Sequence, residues 1–171
     1  MAGRYLIALG SNVRHVRFGA PEAVVRAALA QLGGADLTLL AAAPLMRSRP
    51  LGPSRRRYAN SAAMIASDLA PRAMLERLQA IEHAFGRRRR GQRWSARVLD
   101  LDVVLWSGGN WRDPVLKIPH RRFRDRGFVL APAARIAPNW RDPMTRLTLS
   151  QLAARLTRPR PLPIAPAWSG P

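Results

Sequence analysis

Apolar residues along this chain fall into short dense runs and longer runs spaced at three and four positions. Residues 5–9 (Tyr-Leu-Ile-Ala-Leu) are continuously apolar and are stopped by Gly10-Ser11-Asn12, the mark of a buried strand. Pro21-Glu22 then opens a helix, with proline in the first turn and an acid at the positive end of the dipole. Val25, Ala28, Leu29 and Leu32 recur at helical spacing, and Gly33-Gly34 close the segment. Residues 37–43 suit a second strand and residues 58–66 a third. Between them, residues 47–57 are arginine-rich and punctuated by Pro50, Gly52 and Pro53, which predicts a loop. Residues 71–85 predict a second helix with Met74, Leu78, Ile81 and Phe85 on one face, ended by Gly86. A loop over 87–97 leads to a fourth strand, 98–106.

The order strand–helix–strand–strand–helix–strand is that of a ferredoxin-like βαββαβ sandwich, an α+β fold. Its antiparallel sheet carries both helices on one face and leaves the other free for ligands or for the arginine loops. Past Trp106 follow a Gly-Gly turn, a loop with Pro119-His120, an apolar stretch over 128–130 and a helix over 149–156. A domain over 1–157 with a proline-rich, extended tail over 158–171 is expected. No internal repeat is visible.

Composition narrows the chemistry. At 171 residues the chain can bury a core unaided, and without cysteine it excludes thiol catalysis, cysteine–zinc sites and disulfides. The first apolar run is too short for a secretory leader, and no run could span a bilayer, so a soluble cytoplasmic protein is expected. The formal charge of +19 predicts an anionic partner. Every basic residue but Lys117 is arginine, a bias that a GC-rich genome also produces, which weakens it as a nucleic-acid signal.

Asp100 and Asp102 share one face of the fourth strand, while Leu99, Leu101 and Val103 share the other. Their Cα atoms lie about 7 Å apart by strand geometry. Carboxylates so placed could bracket two magnesium ions about 4 Å apart, completed by water and phosphates. The spacing alone better fits the plain polar face of a half-buried strand. What tips the balance is the scarcity of acids and the run Arg87, Arg88, Arg89, Arg90, Arg93 and Arg97 just ahead of the pair. Clustered arginines suit a triphosphate because each can chelate phosphate oxygens and stays charged. About half of them are expected to be plain surface charge. Trp94 within that loop is either a lid over something flat or a loop anchor. His120, with Arg122, Arg124 and Arg126 nearby, is a candidate phosphate donor, although a lone histidine is more often structural. His15 and His83 are expected at the surface. Tyr58 and Asn60 share a strand face that suits a flat polar ligand, and Phe128 could stack on one or belong to the core. No phosphate-binding glycine loop, protein-kinase motif set or dinucleotide fingerprint is present.

These landmarks, in order, are Gly10-Ser11-Asn12, Pro50-Leu51-Gly52-Pro53, Tyr58-Ala59-Asn60 and Gln79-x-x-Glu82 with Gly86-Arg87. Then follow Arg93-Trp94-x-x-Arg97-x-Leu99-Asp100-Leu101-Asp102, Pro119-His120 and Arg126-Gly127-Phe128-Val129-Leu130-x-Pro132. Together they closely resemble the 6-hydroxymethyl-7,8-dihydropterin pyrophosphokinases, enzymes of folate synthesis, over nearly the whole chain. The resemblance implies ATP as co-substrate, 6-hydroxymethyl-7,8-dihydropterin as acceptor and AMP as leaving product. It implies two magnesium ions on Asp100 and Asp102, with Arg87 and Arg97 on the triphosphate. Gln79, Glu82, Trp94, His120 and Arg126 match further nucleotide contacts. Tyr58, Asn60, Phe128 and Trp94 match the pterin pocket, and Ser48, Leu51 and Gly52 match the segment beside it. The same reading expects a monomer that needs neither nucleic acid nor membrane. Ser95, Arg49, Arg121 and residues 13–19 depart from the usual pattern without touching the carboxylate pair.

A rival reading is an RNA-recognition module, built on the same element order and suited to +19. That module needs stacking aromatics on its central strands in a K/R-G-F/Y-G/A-F-V-x-F/Y pattern, and neither residues 5–9 nor 58–66 carry that pattern.

Overall fold

The computed structural model describes residues 2–34, 36–48, 57–86 and 98–158. The expected contributions of Arg49, Leu51, Gly52, Arg87, Trp94, Ser95 and Arg97, and of the tail beyond Arg158, lie outside those residues.

Strand β1 (Gly3–Ser11) is buried on both sides, so its alternation sends Tyr5, Ile7 and Leu9 into one core and Leu6 and Ala8 into another. Helix α1 (Pro21–Gln31) follows, then β2 (Thr38–Ala42), β3 (Met46–Ser48), β4 (Tyr58–Ser67), helix α2 (Pro71–Ala84) and β5 (Asp100–Trp106). The sheet runs β2-β4-β1-β5 with every pairing antiparallel, and β3 pairs with β4 as well. This is the expected ferredoxin-like order. Helices α1 and α2 begin on Pro21 and Pro71, where a missing N–H costs nothing, and α2 closes at Gly86 in the left-handed region (φ 78°). Val24, Val25, Ala28 and Leu32 of the first helical segment and Met74, Leu78, Ile81 and Phe85 of the second fill the first core.

The opposite face is not free. Helices α3 (Gly127–Ile136) and α4 (Leu149–Thr157) pack Leu130, Ala133, Leu149 and Leu152 against Leu6, Ala62 and Leu105, with Phe123 fully buried between them. That covering occupies the surface an RNA-recognition module would present to bases. The apolar stretch at 128–130 is thus the first turn of a helix. Its spacing of Val129, Leu130, Ala133 and Ala137 is helical, but Pro132 inside it lacks the N–H that would bond one turn back, which hid the element. Helix α4 is closed at its start by a reciprocal cap, with Gln151 N donating to Thr148 Oγ1 (3.1 Å) and Thr148 N to Gln151 Oε1 (2.9 Å).

Two further differences from expectation concern short elements. Residues 46–48 form a strand, although residues 47–57 read as a loop. A hairpin of β6 (Trp111–Arg112) and β7 (Lys117–Ile118) stands where a loop was expected. Strands of two or three residues are too short to display alternation. His15 also is not simply exposed. Its Nδ1 accepts from Arg17 N (3.0 Å) and Phe18 N (3.3 Å), and its ring meets Phe18 and Phe85. Among the described residues, no helix is long and apolar enough to cross a membrane.

Candidate active site

A bulge in β5 sets the stage. Leu6 faces Leu105 and Ile7 faces Val103, so Val104 is an extra residue and both Val104 and Leu105 enter the second core. Beyond it the alternation resumes with Leu101 and Val103 in the first core, which leaves Asp100 and Asp102 on the opposite face. There Gly10 of β1 lies between Asp100 on one side and Asn60 of β4 on the other. With strands about 4.8 Å apart, that row brings Asn60 and Asp100 within about 10 Å across a strip with no intervening side chain. A methyl group built on Gly10 would sit 3.4 Å from Asn60 Oδ1, so the glycine keeps this strip low.

Asn60 is buried at 3% exposure, and its Nδ2 donates to Ser48 Oγ at 2.8 Å. Strand β3 brings Ser48 within reach, since it places Ser48 opposite Tyr58 and Met46 opposite Asn60. With its NH2 held by Ser48, Asn60 directs its carbonyl oxygen toward the strip, where it can accept from a donor edge of a flat ligand. Tyr58 and Phe128 are half-buried, the latter in the first turn of α3.

His120 is tied down by its backbone N–H, which donates to Val104 O at 3.0 Å beside the bulge. Its Nδ1 accepts from Arg122 N at 3.3 Å, so the neutral ring carries its proton on Nε2. Burial lowers its pKa below the ordinary histidine value. The positive charges of Arg126 and Arg122 act in the same direction, against Asp102 and Asp100, which raise it. A neutral histidine offering one N–H suits a phosphate oxygen. Arg126 stands 5.8 Å from the Phe128 ring centre, and its Nε is buried with no hydrogen-bond partner among the described residues. A buried guanidinium N–H left open in this way fits an anion.

A cleft of about 870 Å3 runs along the outer edge of β5 from Asp102 and His120 to the β6–β7 hairpin and Leu75 of α2. Arg112, Lys117, Arg121, Arg122 and Arg126 line it, against the carboxylates of Asp102 and Asp113. Asp113 is engaged in its own turn. Trp111 Nε1 holds its carboxyl below the usual range, helped by the amides of Val115 and Leu116. Arg112 and Lys117 face each other across the hairpin, an unfavourable juxtaposition unless an anion lies nearby. Sequence reading missed Arg112 and Lys117 because the hairpin that pairs them was not visible. Arg124, which lies near His120 in sequence, turns away to bond Asp142.

Glu82 and Gln79 sit on α2. Glu82 is buried, and its Oε1 accepts from Leu101 N at 2.7 Å, the residue between the two aspartates. The carboxylate thereby caps an N–H on the outer edge of the sheet. Gln79 is half-buried. Among the described residues no group of three or more His, Cys, Asp or Glu could hold a metal alone. Two half-buried carboxylates beside a cationic cleft nevertheless fit magnesium, which takes one or two carboxylates and completes its shell with water and phosphate.

The model of the family described as 7,8-dihydro-6-hydroxymethylpterin-pyrophosphokinase matches residues 6–138. The chain is 40% identical over 156 residues to a 2-amino-4-hydroxy-6-hydroxymethyldihydropteridine pyrophosphokinase of Pseudomonas aeruginosa, covering 90% of this chain and 93% of that one. It is 34% identical over 161 residues to the protein of the same name from Synechocystis, covering 94% of this chain and 80% of that one. A crystal structure of Plasmodium falciparum HPPK-DHPS with pteroate superposes with a TM-score of 0.68 at 11% identity, over 91% of this chain and 42% of the larger one, which speaks to the fold alone. The ferredoxin-like order, the strip from Asn60 to Asp100 and these likenesses agree: the chain belongs to the 7,8-dihydro-6-hydroxymethylpterin-pyrophosphokinase family.

Proposed function

We propose that this chain transfers a pyrophosphoryl group from ATP to the hydroxymethyl group of 6-hydroxymethyl-7,8-dihydropterin, with the pterin on the Asn60 side of the Gly10 strip and the triphosphate on the Asp102 side. The observation that carries this reading is the register that sets Asn60, Gly10 and Asp100 in one row, with Asp102 and the cationic cleft beside it. The hydroxymethyl oxygen attacks the β-phosphorus and gives its proton to solvent, the bond from that phosphorus to the bridging oxygen of the α-phosphate breaks, and AMP leaves with that oxygen. Magnesium held by Asp100 and Asp102 would neutralise phosphate charge and orient the chain of phosphates.

The protein's own part is positioning and electrostatics. Asn60, oriented by Ser48, accepts from the pterin's N–H edge, and Tyr58 and Phe128 supply flat surfaces to the bicycle. His120 donates from Nε2, and Arg122 and Arg126 add fixed positive charge where the transferring and leaving oxygens gain negative charge. Arg87, Arg97 and Trp94 are assigned by resemblance to the triphosphate and to closure over the site, and Gln79 to the nucleotide. No strong general base is required for such a transfer. The test is to incubate the protein with ATP, magnesium and the pterin alcohol and identify the nucleotide product. AMP formed one-for-one with a pterin diphosphate supports the reading; ADP, or no turnover by folded protein, overturns it.

A further inference from the structure

Four arginines fall within residues 121–126, and one of them behaves unlike the rest. Arg121, Arg122 and Arg126 line the cleft, whereas Arg124 forms a two-armed bond to Asp142, Nε to Oδ2 and Nη2 to Oδ1, each 2.7 Å. Asp142 is fully buried and saturated, for Thr145 Oγ1 (2.6 Å) and Met144 N (3.1 Å) donate to the same carboxylate. Its own backbone closes the turn ahead of α4, with Asp142 N donating to Leu147 O and Arg146 N to Asp142 O. On the other side, the Arg124 guanidinium lies 4.7 Å from the ring centre of Phe123, itself buried in the second core.

The segment this pair grips is the one that carries the cleft's cations. His120 O accepts from Phe123 N, Arg122 O from Asp125 N, Phe123 O from Arg126 N, and Arg126 O from the first amides of α3. From His120 to Phe128 the backbone is thus one hydrogen-bonded arch, gripped near its centre by Arg124. A buried ion pair is weak evidence of added stability, since apolar residues of similar volume often do as well. What a planar two-armed bond supplies instead is orientation. It also takes one positive charge out of a crowded arch without placing another carboxylate in the cleft.

We infer that Asp142 is a positioning residue for nucleotide binding: acting through Arg124, it sets the rotation of the 120–126 arch so that His120, Arg122 and Arg126 face the cleft. The inference rests on the proposed reading of the cleft as the triphosphate site. Asp142→Asn keeps the size and one acceptor but loses the charged fork. It should raise the KM for magnesium-ATP roughly tenfold and leave the KM for the pterin within about twofold. The paired variant Arg124→Met with Asp142→Leu separates orientation from packing. Its melting temperature should return to near that of the unaltered protein while its affinity for a non-hydrolysable ATP analogue, read by calorimetry, stays weakened roughly tenfold. Recovery of nucleotide affinity together with stability in the paired variant would overturn the inference, because the pair would then be packing alone. So would unaltered nucleotide affinity in Asp142→Asn. The binding measurement needs no turnover, so an unaltered protein that binds the analogue but forms no AMP would count against the proposed reaction and not against this inference.

Discussion

Glu82 offers a sharp test of how the carboxylate pair is held. Its Oε1 accepts from the amide of Leu101 at 2.7 Å, and both groups are buried. A hydrogen bond to a charged acceptor contributes about 2 kcal/mol net and a neutral one about 1 kcal/mol. Through this bond alone, Glu82→Gln, which keeps an acceptor of the same reach, should cost about 1 kcal/mol, or a fall of roughly 3 °C in melting temperature for a chain of this length. Glu82→Ala also strands the Leu101 N–H and opens a small cavity, so roughly 3 kcal/mol and a fall near 10 °C are expected. Because Leu101 lies between Asp100 and Asp102 on β5, loosening it shifts both carboxylates. In the alanine variant kcat should drop roughly tenfold while KM for ATP stays within about threefold. Thermal denaturation followed by circular dichroism, with steady-state kinetics on the same samples, reads both effects. An unchanged melting temperature with a several-fold rise in KM for ATP would refute the reasoning and make Glu82 a direct nucleotide contact.

Three further outcomes are expected. Asp102→Asn should lower kcat by several orders of magnitude while its melting temperature stays within a few degrees; a folded, active variant would remove the metal assignment. Asn60→Ala removes the carbonyl oxygen facing the strip and should raise KM for the pterin roughly tenfold with KM for ATP unchanged, measured by varying each substrate separately. For Asp142, burial alone would raise the pKa, but the bonds from Arg124, Thr145 and Met144 N outweigh it and hold the carboxyl below the ordinary value. Stability from this group is therefore complete above the unfolded pKa of about 4 and lost as pH falls through the lower native one. The stability gap between the unaltered protein and Asp142→Asn should accordingly narrow as acid is added below pH 4, in denaturant titrations at stepped pH.

Much of this protein is legible along the chain because strands and helices of five or more residues declare their period. All six sequence-predicted elements of the βαββαβ unit recur within two residues of their expected ends, helped by Pro21, Pro71 and Gly86, which act on their immediate neighbours. The Asp100-x-Asp102 pair was visible as two residues on one face for the same local reason. Which face that is, however, depended on a bulge at Val104, and a bulge is set by pairing with β1 and leaves no mark on β5 alone. The covering of the far face by α3 was masked by Pro132, whose local cost was overridden by the burial of Val129, Leu130 and Ala133. The roles of the arginines divide along the same line. Sequence showed Arg122, Arg124 and Arg126 only as neighbours of His120, with nothing to tell them apart. Only the turn that brings Asp142 beside the arch decides that Arg124 points away, because an ion pair eighteen residues apart in sequence is a fact of tertiary packing. Charge and periodicity act within a few residues and can be read in one dimension. Register, bulges and the partner of a buried charge are chosen by whatever the rest of the chain brings alongside.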